Sequence, residues 1–107
     1  MSHFVKDIWN PHLIRPVSEH IENRVLAAGA AAETVTIPAD MAFVVIISDS
    51  DLWVRVDAVA ASPTDTVASP AGSELNPSGY DIRGKSTISL ASDFACKVSL
   101  AFYEDEV

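Results

Sequence analysis

In residues 95–103, every second side chain is of a type that packs well in a hydrophobic core, and this alternation continues over the whole segment. Successive side chains of a strand point to opposite faces, so this period of two predicts a β-strand. We expect its inner row to consist of Cys96, Val98, Leu100 and Phe102. Shorter alternating stretches predict two further strands, with inward pairs formed by Val35 with Ile37 and by Ile88 with Leu90.

The longest unbroken apolar run is Met41–Ile47. A run without alternation is typical of a strand covered on both faces, so residues 42–48 are predicted to form a central strand buried on both sides. A turn cluster at 49–51 follows, and residues 52–57 alternate again, with Leu52, Val54 and Val56 pointing one way. The short turn between the two strands predicts an antiparallel hairpin.

The composition agrees with a β fold. Val and Ile together number 20 whereas Leu numbers 6, and β-branched side chains suit a pleated, half-buried surface. The chain of 107 residues has room for one domain, with about seven strands and no long helix. These features predict an all-β protein, a small antiparallel β-sandwich of jelly-roll-like type, with a closed barrel as the second choice.

Residues 1–23 read differently from the β domain predicted at 24–107. Their apolar residues fit neither a period of 2 nor one of 3.6, so we expect an extended N-terminal arm with a short helical turn after Ser18. The arm is either an unattached terminus or a segment that lies on a neighbouring subunit. We favour the second, with a homo-oligomer, because exposed apolar surface gains from burial. The candidate contact residues are Trp9, Leu13 and Ile14.

Residues 60–79 are predicted to form a long loop, and loops of this length are often functional. The side chains predicted to face outward near it include Trp53, Arg55 and Tyr80, and Tyr103 on the last strand. Trp53 either packs under the long loop or anchors a protein or a sugar ring. We therefore name Trp53, Arg55 and Tyr80 as candidate interaction residues.

The net charge of −8 narrows the choice of partners. Binding to nucleic acids and to anionic membranes depends on clustered Lys and Arg, and the seven basic residues here are scattered. No apolar run approaches the length of a transmembrane helix, and the N-terminus lacks the layout of a signal peptide. We expect a protein made in the cytoplasm that binds neither nucleic acid nor membrane.

No residue pattern specifies a reaction. Cys96 falls on the inner row of a strand, where a buried, inert thiol is expected, and His3, His12 and His20 are spaced too widely for a usual zinc site. The acidic cluster at 49–57 lacks the glycine and the distal glutamate of a calcium loop. We therefore expect a protein that is not an enzyme, with no catalytic residue, cofactor or metal.

Several of these segments together resemble small virion structural proteins of tailed bacteriophages. The resemblance covers residues 25–103 and rests on Val35-Thr-Ile-Pro38, Phe43-Val-Val-Ile-Ile-Ser48, Asp51-Leu-Trp-Val-Arg-Val56, Ser73-Glu-Leu-Asn-Pro77, Thr87-Ile-Ser-Leu-Ala91 and Cys96-Lys-Val-Ser-Leu-Ala-Phe-Tyr103. It implies a capsid- or tail-associated accessory protein, located in the virion, whose partners are major capsid or tail proteins. Repulsion from packaged DNA favours a position outside the shell. The alternative is a β-sandwich module that binds carbohydrate or a receptor.

Overall fold

The fold is all-β among the residues described, which in this computed structural model are 16–66 and 72–104. It has two antiparallel four-stranded sheets: sheet 1 in the order β1-β8-β3-β6 and sheet 2 in the order β2-β7-β4-β5. The strands are β1 His20–Leu26, β2 Glu33–Thr36, β3 Met41–Ser48, β4 Trp53–Val56, β5 Glu74–Leu75, β6 Gly79–Asp81, β7 Thr87–Ala91 and β8 Cys96–Glu104. The predicted small β-sandwich is confirmed.

The pairing of the strands follows a jelly roll. The first strand pairs with the last, β2 pairs with β7, β3 with β6 and β4 with β5. The chain is therefore arranged as one long hairpin, with its tip between β4 and β5, rolled into two sheets. Every connection except that between β4 and β5 crosses from one sheet to the other.

The predicted hairpin of β3 with β4 is wrong. β3 pairs with β6 and β8 in sheet 1, whereas β4 pairs with β5 and β7 in sheet 2. The residues between them carry the chain across the sandwich instead of reversing it within one sheet. Alternation fixes which side chains of a strand face inward, but it does not select the strand's partner.

The core lies between the two sheets, as the alternating segments predict. The inner row of β8 is almost fully buried, and β7, β2 and β4 supply the facing side chains of sheet 2. Each such side chain contributes roughly 1.5–3 kcal/mol of transfer free energy. The buried members of this core are Leu26, Val35, Val44, Ile46, Leu52, Val54, Ile82, Ile88, Leu90, Cys96, Val98, Leu100 and Phe102.

β3 lies between β8 and β6 in sheet 1. Its predicted burial on both faces is confirmed only in part, over Ala42–Ile46. Val44 and Ile46 face the core, Phe43 is buried on the other face, and Val45 is half-buried. The prediction fails at Ile47, whose side chain is 56% exposed. β6 is only three residues long, and its pairing with β3 stops at Gly79 opposite Val45. Ile47 therefore has no paired residue on the β6 side of β3.

β1 begins at His20, inside the segment predicted to be the arm. It pairs with β8 along its whole length, from His20 opposite Phe102 to Leu26 opposite Cys96. The predicted helical turn after Ser18 does not form. The Ser18 hydroxyl instead donates to the Phe102 carbonyl at 2.6 Å and accepts from the His20 N–H at 3.1 Å, which holds the start of the strand.

Candidate interaction surfaces

The outer face of sheet 1 carries one apolar row that spans the full width of the sheet, beside a row that holds Asn23 and Ser99. One row of side chains runs over all four strands, from Ile21 through Ala101 and Val45 to Gly79. The glycine is required by close packing, because a Cβ there would lie 2.2 Å from the Val44 carbonyl oxygen. The neighbouring row places Phe43 opposite Tyr103.

Part of this outer face is closed to solvent. The buried side chains there are Ala42, Phe43, Ala101 and Tyr103, with Val45 packed against them, and we call this set the outer cluster. The Tyr103 hydroxyl donates to the Pro16 carbonyl at 3.0 Å, and the Arg83 guanidinium lies 4.8 Å from the centre of the Phe43 ring. Tyr103 therefore does point outward, as predicted, but it is buried rather than exposed.

The rest of the same face is open to solvent. Ile21, Val25 and Ile47 project from it with exposed fractions of 55%, 71% and 56%, and we call these three residues the exposed strip. Val25 lies on the edge strand β1, opposite Lys97 of β8. Large aliphatic side chains grouped on one sheet face are typical of a contact surface.

The outer face of sheet 2 is partly covered by the chain that follows β4. Arg55 donates from Nη1 to the Val59 carbonyl at 3.3 Å, and the Ala60 N–H donates to the Ser89 hydroxyl at 2.8 Å. Ala60 is buried as a result. Arg55 thus holds the loop against its own sheet, a role that its predicted exposure did not suggest.

Trp53 is half-buried next to that loop. It lines a pocket of about 360 Å³ with residues from both described ends of the loop. The other lining residues are Ala61, Pro63, Asp65, Thr66, Gly72 and Ser73. Trp53 therefore lies beside the long loop, in accordance with the first of its two predicted roles, while one side of it borders an open pocket.

Tyr80 does not lie on the same surface as Trp53. It packs against the inter-sheet core, and its hydroxyl donates to the Glu74 carboxylate at 2.6 Å. Burial and the nearby Glu74 carboxylate raise the pKa of Tyr80 well above its usual value. Since Glu74 belongs to β5 and Tyr80 to β6, this hydrogen bond closes one lateral opening of the sandwich.

A charged group closes the opposite lateral edge, between β1 and β2. Arg24 pairs with Glu22 on its own strand and with Glu33 of β2, at 3.4 Å from Nη1 to Oε1. Inward-pointing charges on an edge strand oppose strand addition by another chain. Polar pairs therefore lie at both lateral openings between the two sheets.

The remaining candidate residues are dispersed. Trp9, Leu13 and Ile14 lie outside the described residues, as do His3 and His12. His20 stacks edge-on against Phe102, with 5.6 Å between the ring centres. Within 16–66 and 72–104, no group of three or more histidine, cysteine or acidic side chains is placed to hold a metal ion.

The comparisons with protein-family models, with curated proteins and with solved structures found no match for this chain. In the part of the chain that the structure describes, no helix is long and apolar enough to cross a membrane.

The outer face of sheet 1 was not among the candidate sites predicted from the sequence. Its signal was present in the unbroken run of β3, since a two-layer sandwich buries only the inner face of each sheet. A strand that is apolar on both faces thus requires a further cover on its outer side. Phe43, Val45 and Ile47 carried that signal together with Ala101 and Tyr103 of β8.

Proposed function

We propose that the chain is a non-enzymatic virion structural protein of a tailed bacteriophage. Its role is that of a capsid decoration or cement protein, or of another head- or tail-associated accessory protein. It binds neighbouring virion subunits through its N-terminal arm and the outer face of sheet 1. Major capsid or tail proteins are its partners, and it forms a homo-oligomer in the virion.

The exposed strip is the observation that carries this proposal. Ile21, Val25 and Ile47 lie on one sheet face, and Ile21 is opposite Ala101, two residues before the Tyr103 that binds the Pro16 carbonyl. Burial of such side chains in an interface contributes roughly 1.5–3 kcal/mol each before the costs of association. A strip of this kind offers a contact surface for neighbouring subunits on the same face that receives the chain at Pro16.

The fold and the net charge are compatible with the proposal, but neither of them distinguishes it from other functions. Jelly rolls occur in viral proteins and in lectins, so the architecture alone does not assign a role. The net charge of −8 opposes contact with packaged DNA and favours the outside of the shell.

The experiment uses particles of the phage that encodes the chain, purified from a strain that lacks the gene. The purified protein should co-sediment with these particles, and Val25→Glu combined with Ile47→Glu should abolish co-sedimentation. Thr34→Glu combined with Thr36→Glu is the matched control, because both threonines are exposed on the outer face of sheet 2. Equal binding by the two double variants would remove the exposed strip from the proposal, and no binding by the unaltered protein would refute it.

A carbohydrate-binding module is the second candidate function. The pocket beside Trp53 supports it, since an indole bordered by Asp65, Thr66 and Ser73 offers a stacking surface with hydroxyl partners. A glycan array should then show binding that Trp53→Ala removes. Absence of binding by the unaltered protein would leave the virion role as the function to pursue.

A further inference from the structure

The charges on the face that carries the exposed strip balance each other, although the net charge of the chain is −8. Lys97 lies opposite Val25, and the Asp49 carboxylate beside it accepts from the Lys97 backbone N–H at 2.8 Å. Farther along the same face, Asp81 pairs with Arg83. Two copies of an acidic chain can therefore meet on this face at little electrostatic cost.

The shape of the same face is complementary to itself. The central strand β8 presents the small Ser99 there, between Asn23 on β1 and Ile47 on β3. A twofold axis that runs along β8 over Ser99 places Ile47 of each copy above Asn23 of the other. Each Ile47 then fits between the Ile21 and Val25 side chains of the second copy. Such a contact is reciprocal, as the interface of a twofold dimer requires.

We propose that the exposed strip is the twofold interface between two copies of this chain. The outer faces of two copies of sheet 1 pack against each other, and the three aliphatic side chains of each strip leave solvent. The inference rests on the proposed function in taking the strip as a contact surface between subunits, and it names the subunit that binds there as a second copy.

A second copy suits this face better than a partner of opposite charge, because a basic partner gains nothing from charges that already balance. The size of the face sets the strength of the contact. Four strands about 4.8 Å apart and the nine residues of β8 at about 3.3 Å each give a face of roughly 19 by 30 Å. Standard interfaces bury about 800 Å² per partner, so we expect a dimer that dissociates on dilution.

Sedimentation velocity of the full chain tests the dimer. The dimer fraction should rise with protein concentration, and it should rise again between about 0.02 M and about 0.5 M NaCl, because salt screens the repulsion between two chains of charge −8. Val25→Glu with Ile47→Glu should be monomeric, whereas Thr34→Glu with Thr36→Glu, which adds the same charge to the outer face of sheet 2, should still dimerise. A monomeric unaltered protein, a dimer that salt dissociates, or equal dimerisation of the two double variants would overturn the proposal.

Crosslinking tests the twofold geometry. In a Cys96→Ala background, a chain with Asn23→Cys is mixed with a chain with Ile47→Cys and treated with a short bis-maleimide. This mixture should give a crosslinked dimer, whereas a mixture of Thr34→Cys with Ile47→Cys should give much less, since Thr34 lies on the outer face of sheet 2. Equal yields from the two mixtures would refute the twofold arrangement.

The failure of this proposal can be told apart from the failure of the virion role. A protein that stays monomeric in solution but co-sediments with particles would remove the second copy from the exposed strip and leave the virion role in place. A dimer in solution that does not co-sediment would refute the virion role and support the twofold interface.

Discussion

Side chains at three turns complete the hydrogen bonding of strand ends. Asp49 accepts from the Lys97 N–H at 2.8 Å, Asn76 accepts from the Leu52 N–H at 2.8 Å, and Asp57 accepts from two N–H groups of the β7 end. In each case the backbone N–H of the turn residue also donates to the partner strand. These side chains extend the β-ladders beyond the last regular pairs, which explains why acidic residues gather at the turns without forming an ion site.

Asp57 provides the clearest pH-dependent member of this group. It has a positive φ of 59°, and its Oδ1 accepts from Thr87 at 2.9 Å and from Ser86 at 2.8 Å. The Thr87 and Ser86 hydrogen bonds to the charged carboxylate, with Lys85 nearby, lower the pKa of Asp57 below its model-peptide value of 3.8.

We expect Asp57→Asn to lower the urea midpoint at neutral pH, because the amide oxygen is the weaker acceptor. A lowered folded-state pKa means that the carboxylate's contribution to stability is present above pH 3.8 and is lost as the pH falls through the folded value. The gap between the midpoints of the two proteins should therefore narrow below that pH. A gap that stays constant between neutral pH and pH 2 would show that the charge plays no part.

Cys96 should be inert in the native protein. Its thiol is 2% exposed and its Sγ lies 3.6 Å from the Ser50 carbonyl oxygen. Cys96→Ala should cost about 1 kcal/mol or a little more of unfolding free energy, through the small cavity that it leaves. A thiol reagent should label the protein quickly in urea and slowly in buffer, and rapid labelling in buffer would contradict the burial.

At the scale of the element, β3 shows how one strand serves two surfaces. Ile46 faces the core and is 5% exposed, while the next residue, Ile47, belongs to the exposed strip. Ile46→Asp should prevent folding, since an unpaired buried charge costs several kcal/mol against a total stability of about 5–15 kcal/mol. Ile47→Asp is the matched control and should melt almost as the unaltered protein does in circular dichroism. Similar melting of both variants would contradict the assignment of faces in β3.

The sequence predicts well which side chains of a strand face the core, and it predicts poorly which strands pair with each other. The inner row of β8 follows from the period of two alone, and so does the pair Ile88 and Leu90 of β7. The hairpin of β3 with β4 fails because the partner of β3 is β8, about fifty residues further on, and no local pattern encodes that pairing. β5 has only two residues, too few to show any period.

The first half of β1, residues 20–23, was missed for a different reason. Its even-numbered positions face the core side of sheet 1, and two of them hold Glu22 and Arg24, which pair at the open edge of the sandwich. The apolar residues Ile21 and Val25 lie on the outer face instead. The strand thus shows charges where a core strand shows aliphatic residues, so the sequence placed residues 20–23 in the arm.

At the scale of the whole molecule, the β domain begins before residue 24, because β1 starts at His20. A deletion of residues 1–23 would remove the half of β1 that pairs with Phe102, Ala101, Leu100 and Ser99, so it would test folding and not the arm. The informative truncations end at residue 15, which removes the whole segment before the Tyr103 hydrogen bond, and at residue 10, which keeps Leu13 and Ile14.

We expect the shorter truncation to keep the unaltered midpoint and to lose binding to particles, because it removes Trp9 and leaves all eight strands and the Tyr103 hydrogen bond to Pro16 in place. The longer truncation should also fold, because it keeps Pro16 and all eight strands, and it should also lose binding. Trp9→Ala alone should weaken association by about 2 kcal/mol or more if the indole is an anchor. Circular dichroism, light scattering and co-sedimentation measure these outcomes, and normal binding by the longer truncation would remove the arm from the interface.

The candidate site was less accessible to sequence reasoning than the fold. Trp53, Arg55 and Tyr80 were chosen as outward-facing residues, but Arg55 holds the loop and Tyr80 seals an edge. Which outer face remains open depends on where the long loop lies, and that follows from contacts such as Ala60 with Ser89, far apart in the chain. The outer face of sheet 1 can be recognised as a surface only once the pairing of the strands is known.

The most direct test of the proposed virion role is quantitative mass spectrometry of phage particles purified from lysates of cells in which the gene is expressed. The protein should be present in particles purified by density gradient, in a fixed ratio to the major capsid or tail protein in independent preparations. Recovery of the protein only from the soluble fraction of the lysate, with none in the particles, would contradict a structural role in the virion.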